Sequence, residues 1–179
     1  MSDIIILPGI GGSGESHWQT MWERQHPDIV RFQPGDWDNP RLDGWIAALE
    51  ATVRGAATPP VLVAHSLACL LVAHWQAASA TAVAGAFLVA VPDPASGAFP
   101  RAAASFAGPP ASRLRMPSLI IASSDDPYGT PTYSRQRAKD WGSGLVEIGA
   151  AGHINGQSGL GDWREGLHLL TAFRAGLGM

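Results

Sequence analysis

The sequence contains very little cysteine, no large excess of charge and no long hydrophobic run. Cys69 is the only cysteine, so one chain can form neither a disulfide nor a cysteine-based zinc site. A net charge of −3 without a basic cluster argues against nucleic acid or an anionic membrane as the main partner. No stretch approaches the roughly 18 apolar residues of a membrane span. The first residues, MSDIIIL, lack the basic start and apolar stretch of a signal peptide. We therefore expect a soluble, cytoplasmic protein.

Glycine and proline, by contrast, are plentiful. The 21 glycines and 14 prolines exceed the usual share but stay below the disordered range, which indicates a folded protein with many turns. A chain of 179 residues is long enough to bury a core without disulfide or metal staples. We expect one domain, residues 1–179.

Short apolar runs alternate with amphipathic stretches along the whole chain. Most of the runs are almost continuously apolar, as expected for strands covered on both faces. Strict alternation of strands and helices predicts a three-layer α/β/α sandwich with a mainly parallel sheet of about six strands. The predicted strands are residues 4–7, 29–32, 61–65, 86–91, 118–123 and 145–148.

Several residues mark the ends of predicted helices. Ser16 and Gln19 form an S-x-x-Q capping box, and Pro40 is predicted as the first residue of the second helix. Residues 67–78 are apolar almost all round, so this helix is predicted to be the most buried. Thr130-Pro131 begins another helix, which ends before Gly142.

The stretch DIIILPGIGGSGESHW, residues 3–18, has two interpretations. Gly9, Gly11 and Gly14 fit G-x-G-x-x-G after an apolar strand, which is typical of a dinucleotide-binding turn. The same stretch suits the loop after the first strand of a hydrolase, where backbone N–H groups stabilise an oxyanion. The stretch alone does not distinguish the two.

A serine follows the third predicted strand directly, within AHSLA at residues 64–68. A serine at such a strand-to-helix turn has its hydroxyl exposed at a helix N-terminus, as in a nucleophile elbow. The usual pattern is G-x-S-x-G, and here Ala64 and Ala68 replace both glycines. The alternative interpretation is that Ser66 only caps the helix.

A serine nucleophile needs a base and an acid that orients the base. Asp125 and Asp126 follow the fifth predicted strand, and His153 follows the sixth. The order Ser66, Asp126, His153 is that of α/β-hydrolases, and all three lie at the same predicted rim of the sheet. Asp126, directly before Pro127, is the preferred acid, while Asp125 also suits turn chemistry.

The remaining histidines receive no chemical role from the sequence. His65 precedes Ser66 in the strand and is expected to point to the opposite side. His17 is expected to pack at a helix N-terminus.

The whole pattern resembles the small α/β-hydrolase-fold serine hydrolases typified by YdeN and retinoblastoma-binding protein 9. The resemblance implies a Ser66, Asp126 and His153 triad and an oxyanion hole made by the backbone N–H groups of Ile10 and Leu67. Ala64 and Ala68 depart from the family pattern. The likeness covers nearly the full chain and rests on residues 7–18, 33–40, 61–75, 89–94, 120–128 and 149–163.

We therefore expect a carboxylesterase-like serine hydrolase that forms an acyl-enzyme from a small-molecule ester and needs no cofactor or metal. One alternative is a non-catalytic protein-interaction module on a hydrolase scaffold. A less favoured one is a dinucleotide-binding protein, for which Asp36 lies near the position of a ribose-binding acid. A protein partner is left open.

The longest irregular stretch, residues 92–116, leaves from the carboxyl end of a predicted strand, where ligands bind in this architecture. The chain is too short for a separate lid domain. We expect this stretch to border a shallow pocket for a small or medium acyl ester, lined by Phe99 and Phe106.

Overall fold

A single parallel sheet organises the part of the chain that the computed structural model describes, residues 4–179. Its strand order is β2-β1-β3-β4-β5-β6, and every neighbouring pair is parallel. The predicted parallel α/β sheet is therefore confirmed. The strands are β1 (Ile4–Leu7), β2 (Val30–Arg31), β3 (Val61–His65), β4 (Gly85–Val89), β5 (Ser118–Ala122) and β6 (Gly144–Glu147).

Helices cover both faces of this sheet. Because strand side chains alternate, Ile5 and Leu7 belong to one buried cluster and Ile4 and Ile6 to the other. Helices α2, α3 and α4 pack on the first cluster, and α1 and α5 on the second. The helices are α1 (Trp18–Gln25), α2 (Leu42–Arg54), α3 (Leu67–Ala78), α4 (Pro131–Trp141) and α5 (Arg164–Gly176).

Helix α3 has the predicted bounds and is buried along most of its length. The buried face of α2 packs on it through Trp45, Leu49 and Val53. A short 3-10 helix, Arg101–Phe106, also contacts it and orders part of the long connection after β4. No helix among the described residues combines the length and apolar character needed to cross a bilayer.

The predicted capping box at the start of α1 is wrong. His17 is the N-cap instead, and its Nδ1 accepts the backbone N–H of Gln19 at 3.2 Å. The amide of Gln19 turns inward and donates to the carbonyls of Leu7, the last residue of β1, and Val63, in the middle of β3. Satisfying two buried carbonyls outweighs a cap at the helix surface.

Of the two helix starts predicted from proline, the one at Pro131 is confirmed and the one at Pro40 is wrong. Helix α4 begins as predicted, with Pro131 in the first turn and the Thr130 hydroxyl accepting the N–H of Tyr133. Helix α2 begins at Leu42 rather than at Pro40, with Arg41 as its N-cap. The preceding turn is held by the Asp36 carboxylate, which accepts the N–H groups of residues 38 and 39.

Glu50 links α2 to the end of α3. Its carboxylate accepts hydrogen bonds from the indole of Trp75 at 2.8 Å, the hydroxyl of Ser79 at 2.6 Å and the hydroxyl of Thr81 at 2.7 Å. The bonds from Ser79 and Thr81 lower the pKa of this carboxyl from 4.5 to about 2. The Glu50 carboxylate is thus the common acceptor for three donors from the end of α3 and the residues that follow it.

We expect Glu50→Ala to lower the free energy of unfolding by about 1–3 kcal/mol, because it leaves these donors without their acceptor. Urea denaturation measures this. Glu147→Ala, which removes an exposed ion pair with Arg135, is the control and is expected to cost about 1 kcal/mol at most.

The contribution of Glu50 also depends on pH in a defined direction. Its pKa is lower in the folded chain, so the contribution is full above about pH 4.5 and is lost as pH falls toward 2. The difference between wild type and Glu50→Ala should shrink over that range. A difference that stays constant would contradict the assignment.

Candidate active site

Ser66 lies in a strained turn between β3 and α3. Its backbone has φ 56° and ψ −124°, in the left-handed half of the map that a residue with a Cβ rarely enters. Its N–H donates to the carbonyl of Val89 at 2.9 Å. The methyl groups of Ala64 and Ala68 are fully buried in the core beside it. The turn therefore accommodates alanine where the usual pattern has glycine.

A line of hydrogen bonds connects Ser66, His153 and Asp126. The Ser66 Oγ lies 2.8 Å from Nε2 of His153, and Nδ1 of His153 lies 2.9 Å from both carboxylate oxygens of Asp126. An imidazole that donates through Nδ1 to a carboxylate has Nε2 free to accept from a hydroxyl. The structure thus brings together the serine, aspartate and histidine that follow β3, β5 and β6.

Asp125 has a different set of partners from Asp126. One of its oxygens accepts from the Ser123 hydroxyl and from the N–H of Gly152, both at 2.7 Å. These hydrogen bonds lower the pKa of the Asp125 carboxyl. The Ser123 hydroxyl also accepts the N–H of Ala151. Asp125 therefore anchors the loop before His153, while Asp126 contacts the imidazole.

The loop after β1 lies directly against Ser66. A Cβ on Gly9 would lie 3.0 Å from the Ser66 Cβ and 3.4 Å from the Leu67 nitrogen, so a side chain here would displace the Ser66 turn by a few tenths of an ångström. Ile10 begins a short 3-10 helix and Leu67 begins α3. Within residues 4–179, neither of their backbone N–H groups donates to a protein acceptor, and both residues line the cleft above Ser66.

The dinucleotide interpretation of this loop finds no support in its geometry. The third glycine of such a motif normally permits close packing of helix and strand. A Cβ on Gly14 would meet nothing within 4 Å, and α1 begins only at Trp18. The Asp36 carboxylate is occupied by the N–H groups of its own turn.

The cleft has a volume of about 370 Å³ and is lined by both apolar and polar residues. Pro92, Phe99 and Pro100 are among the apolar ones, and Ser16 and Gln157 are among the polar ones. Among the described residues that line the cleft, none is Asp, Glu, Lys or Arg. No group of three or more described His, Cys, Asp or Glu side chains is arranged to hold a metal ion.

Phe106 does not line the cleft, contrary to expectation. Its side chain is fully buried, and its ring packs edge-on against Trp45 with centroids 5.4 Å apart. The physical reason is the 3-10 helix at residues 101–106, which packs on α3 and turns this ring into the core. Phe99, before that helix, does line the cleft.

His65 lies beside His153 rather than on the opposite side from Ser66. Its Nε2 lies 2.9 Å from the carbonyl oxygen of His153, and the two rings are 5.0 Å apart. Strand alternation does not extend to Ser66, because Ser66 lies beyond β3 in a turn with positive φ. Burial and the neighbouring His17 lower the pKa of His65 well below its usual value.

His17 is a second buried histidine that the sequence left without a role. Its ring packs edge-on against His65 with centroids 4.6 Å apart. Burial, followed by Arg31 and His153, lowers its pKa to about 3, so it is neutral at neutral pH. Nδ1 accepts the N–H of Gln19, which leaves the proton on Nε2, and Nε2 has no partner among the described residues.

A family model described as serine hydrolase matches residues 4–172. A protein described as a YdeN-like hydrolase from Pectobacterium atrosepticum is 32% identical; the match covers 99% of this chain and 92% of that one, with a TM-score of 0.88.

Two more distant structures show the same fold. The ydeN gene product of B. subtilis is 20% identical with a TM-score of 0.78, and the match covers 98% of this chain and all of that one (100%). A thermophilic esterase from Thermogutta terrifontis is 14% identical with a TM-score of 0.70, covering 98% and 90%. No curated protein sequence gives a significant match. The parallel sheet and its helices thus form an α/β-hydrolase fold, with no lid domain inserted within residues 4–179.

Proposed function

The chain belongs to the serine hydrolase family, and we propose that it hydrolyses small, uncharged carboxylic esters through Ser66, His153 and Asp126. The observation that carries the proposal is the continuous line of hydrogen bonds from the Ser66 Oγ to the Asp126 carboxylate. A helix-capping role for Ser66 is not supported, because its side chain makes no capping hydrogen bond.

Acylation begins when the Ser66 Oγ attacks the ester carbonyl carbon and its proton passes to Nε2 of His153. The carbonyl electron pair moves onto oxygen and gives a tetrahedral oxyanion. When this intermediate collapses, the C=O bond re-forms and the bond to the alcohol oxygen breaks. The departing oxygen takes the proton from Nε2. The acyl group remains on Ser66.

Deacylation repeats these steps with water as the nucleophile. His153 Nε2 removes a proton from the water as its oxygen attacks the acyl carbon. Collapse expels the Ser66 Oγ, which recovers the proton, and the carboxylic acid leaves. Throughout, the Asp126 carboxylate fixes the imidazole and stabilises its cationic form.

The backbone N–H groups of Ile10 and Leu67 are the proposed donors to the oxyanion. Both N–H groups lack a protein acceptor among residues 4–179, and both residues line the cleft together with Ser66. Leu67 is also the first residue of α3, where the helix dipole favours negative charge. This arrangement supports selective stabilisation of the transition state over the substrate.

The cleft supports the uncharged nature of the substrate. Its volume of about 370 Å³ lies near the lower end of small-molecule sites, which favours a small or medium acyl group. A charged substituent would lose its water there without a charged partner among the described lining residues. Phe99 and its proline neighbours supply an apolar contact for the hydrocarbon part.

We expect a fluorophosphonate probe to label the wild type but not Ser66→Ala, because only an activated serine reacts with it. Ser112→Ala, which changes an exposed serine, is the control and should label normally. Asp126→Asn should reduce kcat for p-nitrophenyl butyrate by about 10⁴-fold, and Asp125→Asn by much less. A folded wild type that does not label would instead favour a non-catalytic interaction module.

Ile10 offers a test of the oxyanion donor with a matched control. Ile10→Pro removes the backbone N–H together with the isoleucine side chain, at the first position of a short helix, where proline is tolerated. Its kcat should fall by about 10²–10³-fold, whereas Ile10→Ala, which retains the N–H, should stay near wild type. Circular dichroism checks that both variants fold. Equal kcat values for the two variants would exclude this donor.

Substrate charge is tested with two p-nitrophenyl esters of equal chain length. We expect kcat/KM for the hexanoate ester to exceed that for the adipate monoester by about 10- to 100-fold, because the adipate carboxylate would lose its water without a partner. A series of p-nitrophenyl esters of increasing length should peak at short or medium chains. Equal values for the hexanoate and adipate esters would refute the uncharged substrate class.

A further inference from the structure

The backbone around His153 is held in an unusual conformation. Gly152 and Ile154 flank it with φ values of 55° and 48°. A β-branched residue such as Ile154 is rarely found in the left-handed region, because its Cβ meets the backbone there. The loop carrying the imidazole is therefore strained, and such a conformation persists only when its surroundings hold it.

Two buried side chains from distant parts of the chain hold consecutive carbonyls of this loop. The indole Nε1 of Trp18 donates to the carbonyl of Ile154 at 2.8 Å, and Nε2 of His65 lies 2.9 Å from the carbonyl of His153. Trp18 is the first residue of α1, and His65 is the last residue of β3. We name this pair of contacts the carbonyl clamp.

We propose that Trp18 and His65 are positioning residues that hold the His153 imidazole in line with Ser66. The inference rests on the proposed function, in which Nε2 of His153 accepts the Ser66 proton. An imidazole whose backbone relaxed toward ordinary dihedral angles would shift relative to the hydroxyl. A displacement of about 1 Å is enough to slow a proton-transfer reaction by about 10²-fold.

The carbonyl clamp holds the backbone at and after His153, whereas the other hydrogen bonds that anchor this loop hold the backbone before it. Ser123 and Asp125 accept the N–H groups of residues 151 and 152, which precede His153. Asn155 takes part in a local turn with Gln157 and Ser158 that reaches no strand. The carbonyls of His153 and Ile154 are thus joined to the body of the protein by the side chains of His65 and Trp18.

His65 suits this role because it donates a hydrogen bond without carrying a charge. The rings of His17 and Trp18 both lie edge-on to the ring of His65, with centroids 4.6 Å and 6.1 Å from it. Burial lowers the pKa of His65 well below its usual value. The imidazolium that forms at His153 during catalysis therefore does not face a second cation at His65.

The test compares five variants with wild type by melting temperature and by kcat and KM for p-nitrophenyl butyrate. Trp18→Phe and His65→Met each remove one donor and should lower kcat by about 10- to 100-fold with KM within about twofold of wild type. His65→Gln should restore much of the loss, because its amide nitrogen can donate from a similar position.

Trp141→Phe is the matched control. Trp141 lies on α4, outside the residues that line the cleft, and is also fully buried. Its indole donates to the carbonyl of Pro110 at 2.8 Å. The melting temperature of Trp141→Phe should fall by about as much as that of Trp18→Phe, while its kcat should stay at the wild-type value. The double variant Trp18→Phe/His65→Met should lose less activity than the product of the single losses, because both act on one loop.

Three results would overturn the clamp. They are an unchanged kcat in Trp18→Phe and His65→Met, an equal fall of kcat in Trp141→Phe, or a His65→Gln variant no better than His65→Met. Each of these leaves the proposed function standing, because Ser66→Ala would still abolish labelling. A wild type that neither labels nor hydrolyses esters would overturn the proposed function and the clamp together.

Discussion

The carboxyl ends of β3, β5 and β6 meet at one edge of the sheet, and each side chain of the hydrogen-bonded line follows one of them. Parallel pairing enforces this arrangement, because neighbouring strands then end on the same side. The register aligns His65 with Val89, Val89 with Ile121 and Ile121 with Val146. Short loops from these levels suffice to bring Ser66, Asp126 and His153 into contact. A register shift in any of these pairs would separate them.

Three of the five described non-glycine residues with positive φ lie at the same edge. Ser66, Ala90 and Ile154 all have positive φ although none is glycine. Such residues persist only where packing on several sides determines their position. Below Ser66, β3 is buried along its whole length and α3 along most of its own, so the turn between them cannot relax without disturbing both clusters. The rigid core thus maintains the geometry of the edge.

Sequence patterns predicted the features that depend on local physics. Continuous apolar runs predict the strands. Turn chemistry favours Asp126 over Asp125 as the acid, and in the structure Asp126 contacts the imidazole of His153 while Asp125 accepts a loop N–H. The positions of Gln19, Phe106 and His65 instead depend on contacts with distant parts of the chain. The Gln19 side chain donates to two strand carbonyls instead of capping α1. Phe106 lies in the core because a short helix forms within the stretch predicted to be irregular. His65 was missed because strand alternation ends where the turn at Ser66 begins.

Three imidazoles lie in contact at the site, and their environments make them unequal. Burial lowers the pKa of both His17 and His65, with Arg31 adding to the effect at His17 and His17 adding to it at His65, so both rings are neutral. His153 instead has its Nδ1 against both oxygens of Asp126. In the proposed reaction the Ser66 proton passes to His153, the ring that its hydroxyl contacts, and the Asp126 carboxylate stabilises the cation that forms. The rings of His17 and His65 complete the packing beside that imidazole without adding a second positive charge.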